Sequence, residues 1–126
     1  MKKRLIISII LLSLSAGITS VSYGLITQRI GKLRDALCDA LYTYNETGEI
    51  SSASLSSATE KWEEYRPSFC VFLNGNDVSD AEREMKNIVI YSKRHDGEKF
   101  FEACVKCISV LDDAEKKTRL NAENIL

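Results

Sequence analysis

Cys104-Val-Lys-Cys107 is the one stretch of this chain whose residue types and spacing suit metal or redox chemistry. Zinc sites built on Cys-x-x-Cys pairs need a second pair or histidines, with turn residues around each knuckle. Here there is one pair, with no Gly or Pro beside it, and Cys38 and Cys70 stand alone. A redox dithiol needs a helix N-terminus, where unpaired amides lower the thiol pKa, whereas this pair falls inside an apolar helical stripe. The spacing therefore predicts two small apolar residues on a buried helix face, because free cysteine packs as a small hydrophobe. A thiol-dependent redox or metal-binding protein using Cys104 and Cys107 is the competing reading. Metal content and thiol pKa discriminate the two.

The other reactive side chains are dispersed. His95 is the only histidine and sits in a charged turn with Lys93, Arg94 and Asp96. A general base needs a partner and a pocket, and a tight exposed turn offers neither. Glu63-Glu64 and Asp112-Asp113 are adjacent in sequence. Helical neighbours point about 100° apart, so neither pair converges on one proton or cation. Asn45-Glu-Thr47 fits a glycosylation sequon, a pattern short enough to recur by chance. No catalytic residue, cofactor or metal ligand is assigned from the sequence, and an enzyme is not expected.

The elements that carry these residues are helices. Met1-Lys-Lys-Arg4 precedes 24 residues, Leu5 to Gln28, without a charge. As a helix these span about 36 Å, against about 30 Å of bilayer hydrocarbon. This predicts a membrane anchor over residues 1–28. A cleaved signal peptide competes, with small-residue sites at Ser13-Leu-Ser15 and Ser20-Val-Ser22, but its apolar core is ordinarily shorter, about 7–15 residues. Cations flank both ends, Lys2, Lys3 and Arg4 before and Arg29, Lys32 and Arg34 after, so the positive-inside count is tied. The signal-like order of charge then apolar core tips residues 29–126 to the outside of the cell membrane, or to secretion if the segment is cleaved. Setting Lys2, Lys3 and Arg4 aside leaves 14 Lys and Arg against 18 Asp and Glu. A weakly acidic, mixed surface of this kind excludes a nucleic-acid footprint and a polybasic lipid patch.

Beyond the anchor, Ile30, Leu33, Leu37, Leu41 and Tyr44 make one apolar stripe. Asn45-Glu-Thr-Gly48 supplies a left-handed cap. Ser51 or Ser52 caps a second helix with stripe Leu55, Ala58, Trp62, Tyr65, which Pro67 stops or kinks. Asp77 or Ser79 caps a third, with Val78, Ala81, Met85, Ile88 or Val89. The fourth carries Phe101, Cys104, Ile108 and Leu111, flanked by Phe100 and Cys107, and frays over Glu115 to Arg119. Thr47-Gly-Glu49 repeats as Asp96-Gly-Glu98, and at nearly the same offset the stripes of helices 1 and 2 fall on those of 3 and 4. The prediction is an all-α protein: a transmembrane or signal helix, then two antiparallel αα-hairpins in a small bundle with both Gly-Glu turns at one end.

Two further expectations follow. Phe69-Cys-Val-Phe-Leu73, behind Pro67, reads as an apolar knot near the membrane. Tyr65, Phe69, Phe72 and Leu73 are the candidate patch for another protein, with the domain's own core as the competing assignment. If helices 1 and 4 are neighbours, an oxidising compartment permits Cys38–Cys104 or Cys38–Cys107, leaving Cys70 without a partner at its height.

With Trp62, the Val78/Ala81/Met85/Ile88/Tyr91 helix and the ending Leu120-Asn-Ala-Glu-Asn-Ile-Leu126, the chain resembles the membrane-anchored proteins of domain-of-unknown-function family 4363, from low-GC Gram-positive bacteria. The likeness covers the whole length: a basic start, one apolar span, a tryptophan in the second helix and an Asn-Ile-Leu or Asn-Ile-Phe terminus. It implies an anchored helical domain and no particular activity. Members often carry histidines near the second turn and in the last helix. Gly75 and Asp113 stand in those regions here, which argues against a histidine-based site.

Overall fold

The computed structural model describes Lys2 to Ile125, and the side chains of all of these except residues 15–22 and 122–125. Four helices follow one another, α1 (Lys2–Thr47), α2 (Ser52–Phe72), α3 (Gly75–Lys93) and α4 (Gly97–Ile125), with no strand among the described residues. The second half of α1 packs against α2 and α4, and α3 packs against α4. The α2–α3 seam is the thinnest of the four. The result is the expected pair of antiparallel hairpins, arranged as a square.

Each turn has a local cause. Gly48 takes φ +73° and its N–H donates to the Tyr44 carbonyl at 2.8 Å, which ends α1. A left-handed residue after a helix is the position glycine favours. Ser51 caps α2, its hydroxyl accepting from the Ser54 N–H. After α3 the left-handed residue is His95, at φ 55°. The Asp96 N–H reaches back to the Tyr91 carbonyl and the His95 N–H to that of Ser92, the double bond pattern of a Schellman turn. The two Gly-Glu turns do lie at one end of the bundle, since Gly48, Glu49, His95 and Gly97 line one cavity there. They are not conformational equivalents, because the left-handed role passes from Gly48 to His95. Gly97 instead opens α4, behind an Asp96 cap.

Gly97 has its own reason to lack a side chain. A Cβ there would meet the Tyr44 ring, 2.6 Å from Cζ and closer still to the hydroxyl. Tyr44 is held in place edge-on to Phe100, with ring centroids 5.9 Å apart. Gly97→Ala is therefore expected to lower stability by about 1–3 kcal/mol through overpacking. Helix propensity alone favours alanine by about 1 kcal/mol. A denaturant midpoint that stays level or rises would show that Tyr44 swings aside freely.

Three boundaries differ from the sequence reading. Pro67 neither stops α2 nor frees the segment after it: the helix runs on to Phe72. The carbonyl that loses its partner belongs to Glu63, and both Glu63 and Pro67 face solvent, where water can replace the bond. Asn74, not Asp77 or Ser79, caps α3, its side-chain oxygen accepting from the Asn76 N–H. Finally, α4 does not fray at Glu115. Its inner face continues through Ala114, Glu115 and Thr118. Glu115 accepts from Arg34 of α1 at 2.6 Å and from Arg119 at 2.9 Å, so a polar residue is satisfied at a buried position. Arg34 also reaches Asp112 at 2.8 Å. These two carboxylates hold the Arg34 pKa above its usual value, outweighing partial burial.

The core runs the length of the square. Ile26, Ile30, Leu33 and Leu37 come from α1, Ala58, Trp62 and Phe69 from α2, Val78, Ala81, Met85 and Ile88 from α3. On α4 the inward residue is Phe100, fully buried, while Phe101 lies 41 % exposed. The inner stripe is Phe100, Ala103, Cys104, Cys107 and Leu111: Cys104 and Leu111 stand as drawn from sequence, while the flanking Phe100 and Cys107 take the inward places expected for Phe101 and Ile108.

Candidate functional site

The cysteine pair lies in the core. Cys104 and Cys107 are both fully buried, on the side of α4 that closes the bundle. Burial pushes each thiol pKa up to about 12, with smaller contributions from the neighbouring Cys38 charge for Cys104, and from Cys104 and Glu84 for Cys107. A thiol held that high carries almost no thiolate at neutral pH, and the thiolate is the nucleophile and the ligand. No group of three or more His, Cys, Asp and Glu side chains is placed to hold a metal ion among the described residues.

Cys38 and Cys70 are exposed, and all four cysteines are thiols. Burial together with the Asp35 charge raises Cys38 above its ordinary value. The adjacency on which a Cys38–Cys104 or Cys38–Cys107 bridge depends is present, since α1 and α4 pack together. Reagent chemistry should separate the two classes. With a disulfide reagent at pH 8 the reduced native protein is expected to release two thiols quickly, from Cys38 and Cys70. The other two should follow only at the rate of opening, or at once in denaturant. Four equally fast thiols would contradict the buried placement.

The patch drawn from sequence divides into two parts. Tyr65 and Phe69 belong to the core, at 7 % and 0 % exposure. Because α2 passes through Pro67 unbroken, its period carries the Ala58, Trp62, Tyr65 face on to Phe69. Phe69 packs against Trp62 at 6.0 Å and Tyr65 at 6.1 Å between centroids. Tyr65 is also covered by Arg29 of α1, whose guanidinium stands 5.5 Å from the ring and donates to Ser68 Oγ at 2.8 Å. Phe72 is exposed at 42 % beside Val71 at 75 %, and Leu73 is half-buried against the core.

Besides the N-terminal half of α1, Tyr42, and Phe101 and Val105 of α4, two surfaces are left with apolar side chains and no cover. One is the end of the bundle where α1 emerges, with Leu25, Val71, Phe72 and Leu120. The other is a groove of about 300 Å³ along the thin α2–α3 seam. Trp62 and Met85 form its floor, Val89 and the exposed Ile90 one side, and Thr59, Glu63, Glu82 and Lys86 its polar rim. Sequence reasoning missed this groove, since Trp62 and Met85 read as plain core. The weak signal was on α2, where Thr59 and Glu63 follow Leu55 on one edge and leave no large side chain to fill the seam.

Among the described residues no helix is long and apolar enough to cross a membrane. Residues 15–22, the middle of the uncharged stretch, lie outside the described side chains, and so does the closing motif beyond Asn121. No family model, no curated protein and no solved structure matches the chain.

Proposed function

We propose that the chain is a membrane-anchored helical module whose bundle binds or supports another protein, with no catalysis of its own. One observation carries the anchoring: α1 is a single helix with two different halves. From Ile26 on, its inward residues are buried by α2 and α4. From Leu5 to Leu14, Leu and Ile side chains are more than half exposed on every side of the helix. A helix apolar all round needs an apolar surrounding, and no charge interrupts it before Arg29. An extracytoplasmic bundle, as in the family 4363 proteins that the chain resembles, is part of the same proposal.

The α2–α3 groove supports the interaction half of the reading. An apolar floor with a polar rim suits an amphipathic helix laid between two others, and the α2–α3 seam is the thinnest of the four. Two experiments test the parts separately. Retention in carbonate-washed membranes, with Leu5 to Thr27 still present by mass spectrometry, is expected of an anchor. A mature N-terminus near Ala16 or Tyr23 would overturn it. A photo-crosslinking residue at Ile90 in intact cells is expected to give a discrete adduct that one at Ser109, exposed on α4, does not give. Thr59→Arg, which fills the groove, should abolish it. Equal or absent labelling at both positions would remove the groove from the proposal.

A further inference from the structure

The uncovered end of the bundle is shared by three helices. Arg29 of α1 bonds Ser68 of α2, and these helices are antiparallel, so Val71 and Phe72 stand level with Leu25 and Ile26. Arg34 bonds Asp112 and Glu115 of α4, also antiparallel, which brings Leu120 to nearly the same level. Phe72, Asn74, Thr118 and Asn121 line one small cavity there, closed by the Lys117–Asp77 ion pair at 3.2 Å. Leu25, Val71, Phe72 and Leu120 are each between 42 % and 75 % exposed. They ring the point at which α1 leaves the bundle for its uncharged half.

We propose that this end of the bundle rests in the lipid surface itself, with Leu25, Val71, Phe72 and Leu120 inserted at the boundary between headgroups and acyl chains. The proposal rests on the anchored reading above and adds where the domain sits: pressed against the bilayer. The occupant follows from continuity. The ring adjoins the half of α1 whose described apolar side chains, Leu5 to Leu14, have no cover, and a bilayer around that half meets side chains from three helices at a common height. Apolar side chains at a membrane boundary bind by their buried area, so no basic patch is required.

Two exposed positions report the placement without touching the core. Val71→Cys marks the ring, and Tyr42→Cys, 68 % exposed, marks a level about 25 Å farther out along α1. Each is made in full-length protein carrying Cys38→Ser and Cys70→Ser, spin-labelled, and reconstituted in phosphatidylcholine vesicles. The label at position 71 is expected to collide more often with oxygen than with a water-soluble nickel chelate, and the label at 42 the reverse. If both labels favour the nickel chelate while the protein floats with the vesicles, the anchor stands and the lipid-seated end is overturned. Shielding of position 71 from both colliders, with broadening between labels, would replace lipid by a second copy of the chain. Protein that fails to float with the vesicles overturns the anchored reading, and this inference with it.

Discussion

Phe69→Ala is expected to cost about 3–5 kcal/mol, the usual range for deleting a fully buried aromatic side chain. Phe69 has no exposed surface and meets both Trp62 and Tyr65, so the cavity would open where α2 is held to the rest. Domains of this size are stable by about 5–15 kcal/mol, and each kcal/mol moves Tm by about 4–8 °C. A fall of well over about 10 °C is the expected thermal result. Phe72→Ser, three residues on, should cost about 1 kcal/mol or less, since that ring is already part-solvated. The contrast is the test. Equal losses at 69 and 72 would mean that α2 does not run through Pro67 as one helix.

The second large effect is alkaline. Cys104 and Cys107 each have a folded pKa of about 12, raised by burial from an ordinary value of 9.0. Below pH 9 both states keep the thiol proton, and the thiols contribute their full stability. Above pH 9 the unfolded chain releases protons that the folded chain retains, so stability falls as pH climbs towards 12. The loss is about one kcal/mol or more per pH unit for each thiol, and about several kcal/mol for the pair by pH 11. Urea unfolding at pH 8.5, 10 and 11 reads it out. A Cys104→Ala/Cys107→Ala variant shares every Lys and Tyr with the parent, so it should start less stable but fall less steeply. Parallel slopes would mean that the two thiols are solvated.

Much of the architecture was legible because its causes are local. Gly48 and Ser51 sit at positions where backbone geometry or unpaired amides demand their type, and the α1 stripe from Ile30 to Leu37 follows from period alone. Where two apolar residues are adjacent, period cannot choose. Phe100 rather than Phe101 turns inward on α4 because Tyr44, on another helix, offers an edge to it. Glu115 looked like solvated helix end, and it is buried because Arg34, far away in sequence, supplies the charge that permits it. The stop expected at Pro67 failed for a related reason. The cost of proline in a helix depends on whether the freed carbonyl can reach water, and the sequence does not say which way Glu63 faces. Of the candidate surface, Phe72 was visible as part of an apolar knot between the hairpins. The α2–α3 groove was not, because a thin seam is a property of how two helices diverge.

The single α1 helix, finally, fixes a phase. Lys2–Thr47 contains no proline, and 46 residues of helix are about 69 Å long. Its two halves therefore turn together, and the direction in which the α2–α3 groove faces is set by the azimuth of the N-terminal half. Each residue added between them would rotate the bundle by about 100° about the common axis. Four added residues would bring it round to within about 40° of its first heading, raised by about 6 Å. For a partner confined to the same plane, that heading decides whether the groove is met face-on or from behind. On the reading proposed above, the length of the stretch between Gly24 and Ile30 would be as much a part of recognition as the residues that line the groove.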